Sequence, residues 1–390
     1  AIAAACGLYG IGGLTPVQAQ ASTGSIFGTA PVGAGETVVI TSANGLTRTV
    51  PVDSGGRFSA TSLPLGTTYT VTLQKDGAPL DSRNDVVLTV GAGTQVTFVS
   101  QTTTLGAVTV SANSLPPIDI SQVGSRTVVT SKQLAVLPLQ RTAEAIATLA
   151  PGVIQGTSYY KGPTGTVLNS FGGSSIAENA YYINGFNTTD PLHGVGGLSL
   201  PYWAIDQQQV LTGGYDARYG RSDGGVISQV GKRGTNEWHF GAQVLYQPKS
   251  TASAPVNWYY PTGAKYLAND EGGAQGQLYS YNKGNKSWVR TEDFYAGGPL
   301  IKDKLFFFGA VEASREVGTG GGGGTSNNSI QSAQIMNYTN DSPKWYAKLD
   351  WNINDNNILE LTGASNKREH SGNVYKFNYA PDRATFGAFK

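Results

Sequence analysis

The sequence predicts a mainly β protein with three parts: a small N-terminal β-sandwich, a small α+β domain and the first strands of a large transmembrane antiparallel β-barrel. Three observations carry this prediction. Short Val- and Thr-rich segments alternate with turn signals near the N-terminus. Glycine-rich loops and one helical segment follow. The remainder contains period-2 segments of about ten residues, separated alternately by long and short connections.

The composition excludes several functional classes. Charged residues make up 14% of the chain, against about 25% in ordinary soluble domains. The 27 basic and 26 acidic residues nearly cancel, which argues against a nucleic-acid partner. His193, His239 and His370 are far apart, with no paired acidic or cysteine spacing for a metal. Because no nucleophile elbow or phosphate loop occurs either, we expect no enzyme, no cofactor and no metal site.

Residues 1–21 resemble an export signal that is clipped at its start. The apolar run Ala1–Leu14 contains the only cysteine, Cys6, and small residues at Val17–Ala21 have signal-peptidase spacing. A disordered terminus is the alternative. No later stretch of about 18 apolar residues predicts a transmembrane helix. An exported chain of this kind is either a soluble periplasmic protein or a β-barrel.

Residues 22–100 predict the sandwich, because Val- and Thr-rich strands lie between turns such as Asn44-Gly45 and Asp53–Gly56. The segments Gly24-x-Ile26-x-Gly28, Asp53-x-x-Gly56-Arg57-Phe58 and Leu63-Pro64-x-Gly66-x-x-Tyr69 are similar to the carboxypeptidase-regulatory-like domain, which is non-catalytic. Residues 101–119 form a linker around Leu105–Ser111, a short β-prone piece. Composition alone favours the last sandwich strand for that piece.

Residues 120–233 predict the α+β domain. The strand Thr127–Val129 precedes a helix at Thr142–Ala150, which has Ile146 and Leu149 on one face and is stopped by Pro151-Gly152. Further strands are expected at Ala180–Ile183, Ile205–Leu211 and Gly224–Val230. Asn184-Gly185 is expected to form a turn.

Residues 234–390 predict the start of the barrel. In Trp238–Gln247 one face is Trp, Phe, Ala, Val and Tyr, and Trp345–Ile353 alternates in the same way. Of the 39 aromatic residues, 24 follow Gly234, as the two interfaces of a membrane barrel require. A soluble all-β domain would expose these rings as a large apolar patch. About five strands are recognisable, too few to close a barrel, so we expect the chain to be a fragment.

Four segments resemble TonB-dependent receptors: Asn179–Asn187, Val210–Glu237, Gly297–Gly309 and Ala347–Ile353, the last two pointing to the Oar-like subgroup. The resemblance implies a barrel of about 22 strands and makes the α+β domain its plug. The plug-motif residues that it implies are Asn184, Gly185, Gly213, Gly214, Tyr219, Gly220, Arg221, Gly224 and Gly225. Arg218, Arg221 and Asp223 would be polar plug groups that contact the barrel, or else ordinary turn residues.

The resemblance also reverses the interpretation of the linker. Such receptors carry a TonB box just before the plug, and the matching residues are Leu105, Gly106, Ala107, Val108, Thr109, Val110 and Ser111. Gly106-Ala107 departs from the acidic residues common there. The implied partners are TonB with ExbB and ExbD, outer-membrane lipid and an extracellular ligand, and the N-terminal domain would lie in the periplasm of a Gram-negative bacterium.

The implied function is TonB-energised uptake of a peptide, oligosaccharide or chelate. Ligand residues are expected at the plug apex, with His193, Tyr202 and Trp203 as candidates. An adhesion or secretion-linked structural protein with the same barrel remains the alternative, because a surface barrel without uptake would have the same strand pattern.

Overall fold

The structure is a computed structural model that describes residues 23–32, 35–99, 124–156, 161–162, 165–215, 219–220, 222–251, 253, 255–259, 278–280, 282–322, 332–379 and 386–389. The predicted signal segment and Leu105–Ser111 lie outside the described residues. Within the described part, no helix is both long enough and apolar enough to cross a membrane.

The N-terminal part, here called the sandwich, consists of two sheets. One has the order β4-β1-β7, with β1 antiparallel to β4 and parallel to β7, and the other has the order β3-β2-β5-β6. Alternate residues of both sheets meet in one core, which includes Ile26, Val38, Phe58 and Tyr69. The strands are β1 (Thr23–Thr29), β2 (Glu36–Ser42), β3 (Thr47–Pro51), β4 (Arg57–Pro64), β5 (Thr68–Lys75), β6 (Ala78–Val87) and β7 (Gly93–Thr97).

The middle part, here called the central domain, is built on a five-stranded sheet with the order β12-β11-β14-β13-β8. Every residue of β11 and β14 is buried, because helices and loops cover one face and the sandwich covers part of the other. Its strands are β8 (Ser125–Thr130), β9 (Val153–Gln155), β10 (Asn169–Phe171), β11 (Ala180–Ile183), β12 (Phe186–Asn187), β13 (Ile205–Gly213) and β14 (Val226–Gly231).

The helices of the central domain are short. They are α1 (Ser131–Leu134), α2 (Ala143–Ala147) and the 3-10 turns Ile176–Glu178 and Tyr202–Ala204. The helix predicted at Thr142–Ala150 therefore begins where expected, with Thr142 as its N-cap, but ends three residues early. Leu149 is 39% exposed, and its N–H donates to the carbonyl of Ile146 three residues back, so the segment continues as a tighter turn.

The C-terminal part, here called the wall, is an antiparallel sheet with the order β15-β18-β19-β20-β22-β23, in which β21 also pairs with β20. The strands are β15 (His239–Gln247), β18 (Lys286–Ile301), β19 (Leu305–Gly322), β20 (Ser332–Asn354), β21 (Asn357–Asn366), β22 (Glu369–Tyr379) and β23 (Phe386–Phe389). A separate hairpin, β16 (Trp258–Tyr259) and β17 (Leu278–Ser280), and the 3-10 turn Lys249–Thr251 lie between β15 and β18.

The wall confirms the barrel pattern and corrects one loop. Tight turns at Lys302–Lys304 and Asp355-Asn356 alternate with longer connections. The sequence pattern ends one wall strand near Val311 and predicts a long loop from there to Lys344. Much of that segment is instead strand, because β19 and β20 stay paired as far as Gly322 and Gln334. Both strands are longer than the roughly ten residues that a membrane strand needs.

Candidate functional site

Successive residues of the wall strands point alternately towards the central domain and away from it. Trp345 and Trp351 are each 46% exposed on the outer face, whereas Phe306, Phe308 and Tyr346 are buried on the inner face. Phe308 and Tyr346 share a core cluster with residues of the central domain, namely Val129, Leu134, Ile146, Ile183, Leu200, Tyr202, Ala204 and Ile205. The central domain therefore packs against the face that a barrel would turn to its lumen.

No backbone ladder joins the central domain to the wall among the described residues, since their sheets are separate. Side-chain contacts alone decide how firmly the central domain is held. Two of these contacts are clusters of charged groups, each centred on one arginine of the central domain.

The first cluster surrounds Arg233, which follows β14. Its guanidinium is buried, and Nη2 donates to Asp350 Oδ1 at 2.6 Å and to Glu360 on the adjacent wall strand. Lys348 Nζ lies 3.1 Å from Glu360 and 3.5 Å from Asp350. Arg233 Nη1 also donates to the carbonyl of Leu65 in the sandwich at 3.4 Å. Sandwich, central domain and wall thus meet at one side chain.

The second cluster surrounds Arg141, just before α2. Its Nη1 donates to Asp293 Oδ2 at 2.6 Å and to Gln243 Oε1 at 3.1 Å. Glu312 lies 3.9 Å from Nη2 and accepts a 2.7 Å bond from Lys344. Each of these two arginines therefore lies in a cluster with two wall carboxylates and one wall lysine.

Buried ion pairs of this type fix position more than they add stability. Removing two charges from water costs several kcal/mol per ion, and their attraction roughly offsets that cost when the geometry is good. Their directional hydrogen bonds, however, are satisfied in only one arrangement. The two clusters therefore add directional contacts that define where the central domain sits on the wall, beside the apolar cluster that it shares with Phe308 and Tyr346.

A third polar contact comes from the turn after β11. Asn184 has φ +47°, and its Nδ2 donates to Tyr346 Oη and Thr362 Oγ1, each at 3.1 Å. Its Oδ1 accepts from the backbone N–H of Gly231 at 2.8 Å. The predicted Asn-Gly turn is present, and it contacts the wall as well as reversing the chain.

The sandwich binds the central domain through buried groups. Gln207 of β13 donates to the carbonyl of Leu88 at 2.8 Å and accepts from the backbone N–H of Val90 at 3.0 Å. Gln209 donates to the Val90 carbonyl at 3.4 Å. Val230 of β14 belongs to the apolar core of the sandwich. The two parts consequently share a core.

The sandwich binds the wall at its two tight turns, through mostly exposed groups. Arg48 Nε donates to the carbonyl of Asp355 at 2.7 Å, and Asn352 Nδ2 donates to that of Asn44 at 3.1 Å. Gly45, with φ +80°, lies so close to Asp303 that a Cβ there would be 2.6 Å from the aspartate Cβ. The β2–β3 turn therefore fits between the two wall turns.

Comparisons with known proteins identify this arrangement. Residues 119–227 match the family model TonB-dependent Receptor Plug Domain. The chain is 31% identical over 284 residues to the TonB-dependent transporter Oar of Myxococcus xanthus, a match that covers 68% of this chain and 24% of that protein. The chain belongs to the TonB-dependent receptors. It spans about a quarter of the length of this relative. The matched relatives are transporters and receptors, in agreement with the expectation that the chain is not an enzyme.

Solved structures of outer-membrane transporters and receptors are also similar. The transporter YddB from Escherichia coli matches with 17% identity and a TM-score of 0.43, covering 66% of this chain and 37% of that one. The siderophore receptor PirA from Acinetobacter baumannii matches with 14% identity and a TM-score of 0.34, covering 69% and 43% respectively.

In this receptor the central domain is the plug, and several of its predicted motif residues occupy special backbone positions. Gly185, Gly214 and Gly220 have φ values of +82°, +65° and +27°, which favour glycine. Tyr219 packs edge-to-face on Tyr182, with ring centroids 5.4 Å apart. These residues shape the plug around β11 and β13.

The remaining motif glycines differ from one another. A Cβ on Gly225 would lie 2.1 Å from the ring of Phe171, and one on Gly224 would lie 2.7 Å from Asn179 Oδ1, so close packing requires both glycines. Gly213 has no neighbour within 4 Å of such a Cβ. Arg221, like Arg218, lies outside the described residues. Asp223 is exposed in a turn, where its N–H donates to the Glu178 carbonyl, and the turn interpretation therefore fits it better than wall contact.

The three ligand candidates of the receptor have different surroundings. Tyr202 is buried, and its hydroxyl donates to the Leu134 carbonyl at 2.9 Å. Trp203 Nε1 donates to Gln243 Oε1 at 3.0 Å, so this ring is part of the plug–wall contact. His193 is exposed and lies 2.5 Å from Asp190 Oδ2. Among the described residues, Tyr202 and Trp203 hydrogen-bond the wall, whereas the hydrogen bond of the His193 side chain is to Asp190 of the central domain.

The sequence interpretation missed the residues that hold the plug in the receptor. Arg141 and Arg233 occur in ordinary-looking loop sequence, and their partners Asp293 and Asp350 lie 152 and 117 residues further along. One signal was available: Lys348 and Asp350 alternate with apolar residues and so mark the inner face of β20. Charges on an inner face need partners, and the plug supplies them.

Burial also perturbs ionisable groups inside the plug. Burial raises the pKa of Glu144, on α2, to about 7, and the Glu144 Oε2 atom accepts no hydrogen bond from the described residues. Burial likewise raises the pKa of Asp206 and lowers that of Lys232. In each case loss of water disfavours the charged form.

Proposed function

We propose that this receptor is an energised outer-membrane transporter that admits an extracellular ligand when TonB displaces the plug from the wall. The observation that supports this most is the separation of the plug sheet from the wall sheet, with two arginine-centred clusters between them. Side-chain ion pairs can be broken and re-formed with water, whereas a shared backbone ladder would have to be torn apart.

The proposed orientation places the sandwich in the periplasm. Barrels of the outer membrane have short periplasmic turns and longer extracellular connections. The sandwich contacts the two short wall turns, at Asp303 and Asp355. Outward tryptophans and phenylalanines on the wall strands suit contact with outer-membrane lipid.

The proposed energy coupling uses Leu105–Ser111 as the TonB box. This segment precedes the matched plug, which begins at residue 119. An extended box would add a strand to a sheet of TonB, which ExbB and ExbD energise, through main-chain hydrogen bonds that tolerate varied side chains. The ligand classes proposed from the family are peptides, oligosaccharides and chelates.

The test is binding of a synthetic peptide, Thr104–Ser114, to a TonB C-terminal domain, measured by isothermal titration calorimetry. The control peptide carries Val108→Pro and Val110→Pro, which remove two N–H donors from the added strand. We expect the native peptide to bind and the proline peptide to fail. If neither peptide binds, energised transport through this box is wrong. In that case the surface-adhesion alternative gains support, provided that the full chain also fails to bind TonB.

A further inference from the structure

A cavity lies where the sandwich, the plug and the first wall strand meet. Its larger chamber, of about 620 Å³, is lined by groups from all three parts, including Asn44, Thr67, Gln207 and His239. A second chamber of about 260 Å³ continues between the plug and β18. Gly66, Asp206, Thr235 and His239 line both chambers, so the two spaces are continuous. The larger chamber alone has the size of ordinary small-ligand sites.

A bulge in β13 directs Asp206 into this cavity. The pairing of β13 with β14 shifts between Ile205 and Gln207, which leaves Asp206 as the extra residue. Bulges of this kind re-aim a side chain and occur often next to functional sites. Asp206 Oδ2 is buried and accepts no hydrogen bond from the described residues. A Cβ on Gly66 would lie 3.6 Å from that oxygen, so the glycine keeps the space in front of the carboxylate open.

A cation without a carboxylate partner lines the smaller chamber with Asp206. The Lys232 ammonium lies 5.6 Å from the ring centroids of both Trp203 and Tyr295. Among the described residues, no carboxylate oxygen lies within 4.0 Å of this ammonium. Arg233, its neighbour, has carboxylate partners of its own, Asp350 and Glu360. The chamber thus contains one anion and one cation that are not bonded to each other.

Both residues are half-buried, so each charge loses part of its hydration, and a ligand with complementary charges would supply hydrogen bonds to both. A volume of 260 Å³ corresponds to about nine water molecules at about 30 Å³ each, enough for a backbone segment of a small peptide. A zwitterion would place its ammonium at the carboxylate and its carboxylate at the ammonium. Each contact would be a charge-assisted hydrogen bond.

We propose that this cavity binds the charged ends of a short peptide, the N-terminal ammonium at Asp206 and the C-terminal carboxylate at Lys232. The proposal deepens the proposed function, on which its physiological role rests, by naming a peptide as the ligand on the periplasmic side of the plug. Binding itself does not require TonB, so its measurement is separate from the TonB-box test.

The test is isothermal titration calorimetry of the full chain in detergent with three probes: triglycine, N-acetyltriglycine and triglycine amide. Each capped probe lacks one charge. A charge-assisted hydrogen bond contributes about 1.5–3 kcal/mol, so we expect each cap to weaken binding by about ten- to hundredfold. In Asp206→Asn the acetyl cap should no longer matter, and in Lys232→Gln the amide cap should no longer matter. Glu237→Gln, at the rim of the larger chamber, serves as the matched control and should retain both differences.

Two results would overturn the proposal. If the wild-type chain binds none of the probes, the cavity is not a zwitterion site, and Asp206 and Lys232 form a water-bridged pair. If triglycine binds but both substitutions leave the two cap effects unchanged, the peptide binds elsewhere. Because each variant is compared with itself across three probes, a general loss of stability would not imitate the expected pattern.

Discussion

Replacing Arg233 by alanine tests whether the ionic clusters hold the plug. The substitution leaves Asp350 facing Lys348 at 3.5 Å, while Glu360 keeps its 3.1 Å contact with that lysine. Breaking a buried pair costs about 3–5 kcal/mol, because the remaining charge is uncompensated. Because Lys348 offsets part of that charge, we expect Arg233→Ala to lower the free energy of unfolding by about 3 kcal/mol, the lower end of this range. Arg233→Lys should lower the free energy of unfolding by less, because lysine keeps the positive charge but lacks the planar guanidinium that bonds both carboxylates.

The matched control is the exposed pair Arg315–Asp341 at the other end of β19. It has the same 2.6 Å contact, but its side chains are 53% and 34% exposed. Exposed pairs contribute about 0.2–1 kcal/mol, and Arg315→Ala should cost no more than that. The free energy of unfolding is measured by denaturant titration of the full chain in detergent, followed by tryptophan fluorescence. Equal decreases in the free energy of unfolding for Arg233→Ala and Arg315→Ala would refute the reasoning.

Three further substitutions test the plug. Gly225→Ala would place a Cβ 2.1 Å from the Phe171 ring and should cost about 1–3 kcal/mol, whereas Gly213→Ala meets nothing within 4 Å and should cost less than about 0.5 kcal/mol in the same titration. Glu144→Gln should remove a pH dependence of the free energy of unfolding. Because the folded pKa is raised from 4.5 to about 7, wild-type stability should fall by about 3 kcal/mol relative to the variant as pH rises between those values, and a constant difference would contradict this.

The sequence predicts the wall better than any other part, for a physical reason. A strand between lipid and a polar interior has to alternate along its whole length, so Trp345–Ile353 shows its fold within a single short segment. The same local rule places Lys348 and Asp350 on the inner face. It does not show how far β19 and β20 extend, because pairing beyond the bilayer depends on the partner strand rather than on hydrophobic alternation.

Partners across the interface could not be predicted from the sequence. Arg141 and Arg233 have no local feature that separates them from Arg218, and their carboxylates belong to strands more than a hundred residues away. The end of α2 was placed too late because the segment after Ala147 stays close to helical. Leu149 and Ala150 donate to carbonyls three residues back, and Pro151 disfavours regular helix at the residue before it.

The contacts of the sandwich determine how the plug can move. The sandwich shares an apolar core with Val230 and accepts a buried hydrogen bond from Gln207. Its hydrogen bonds to Asp355 and its close contact with Asp303 involve exposed groups. Exposed hydrogen bonds exchange readily with water at little net cost, while separating the shared core exposes apolar surface. A force on the segment between sandwich and plug therefore meets less resistance at the wall turns than at β13. Displacement of the plug would carry the sandwich with it and open the wall turns first.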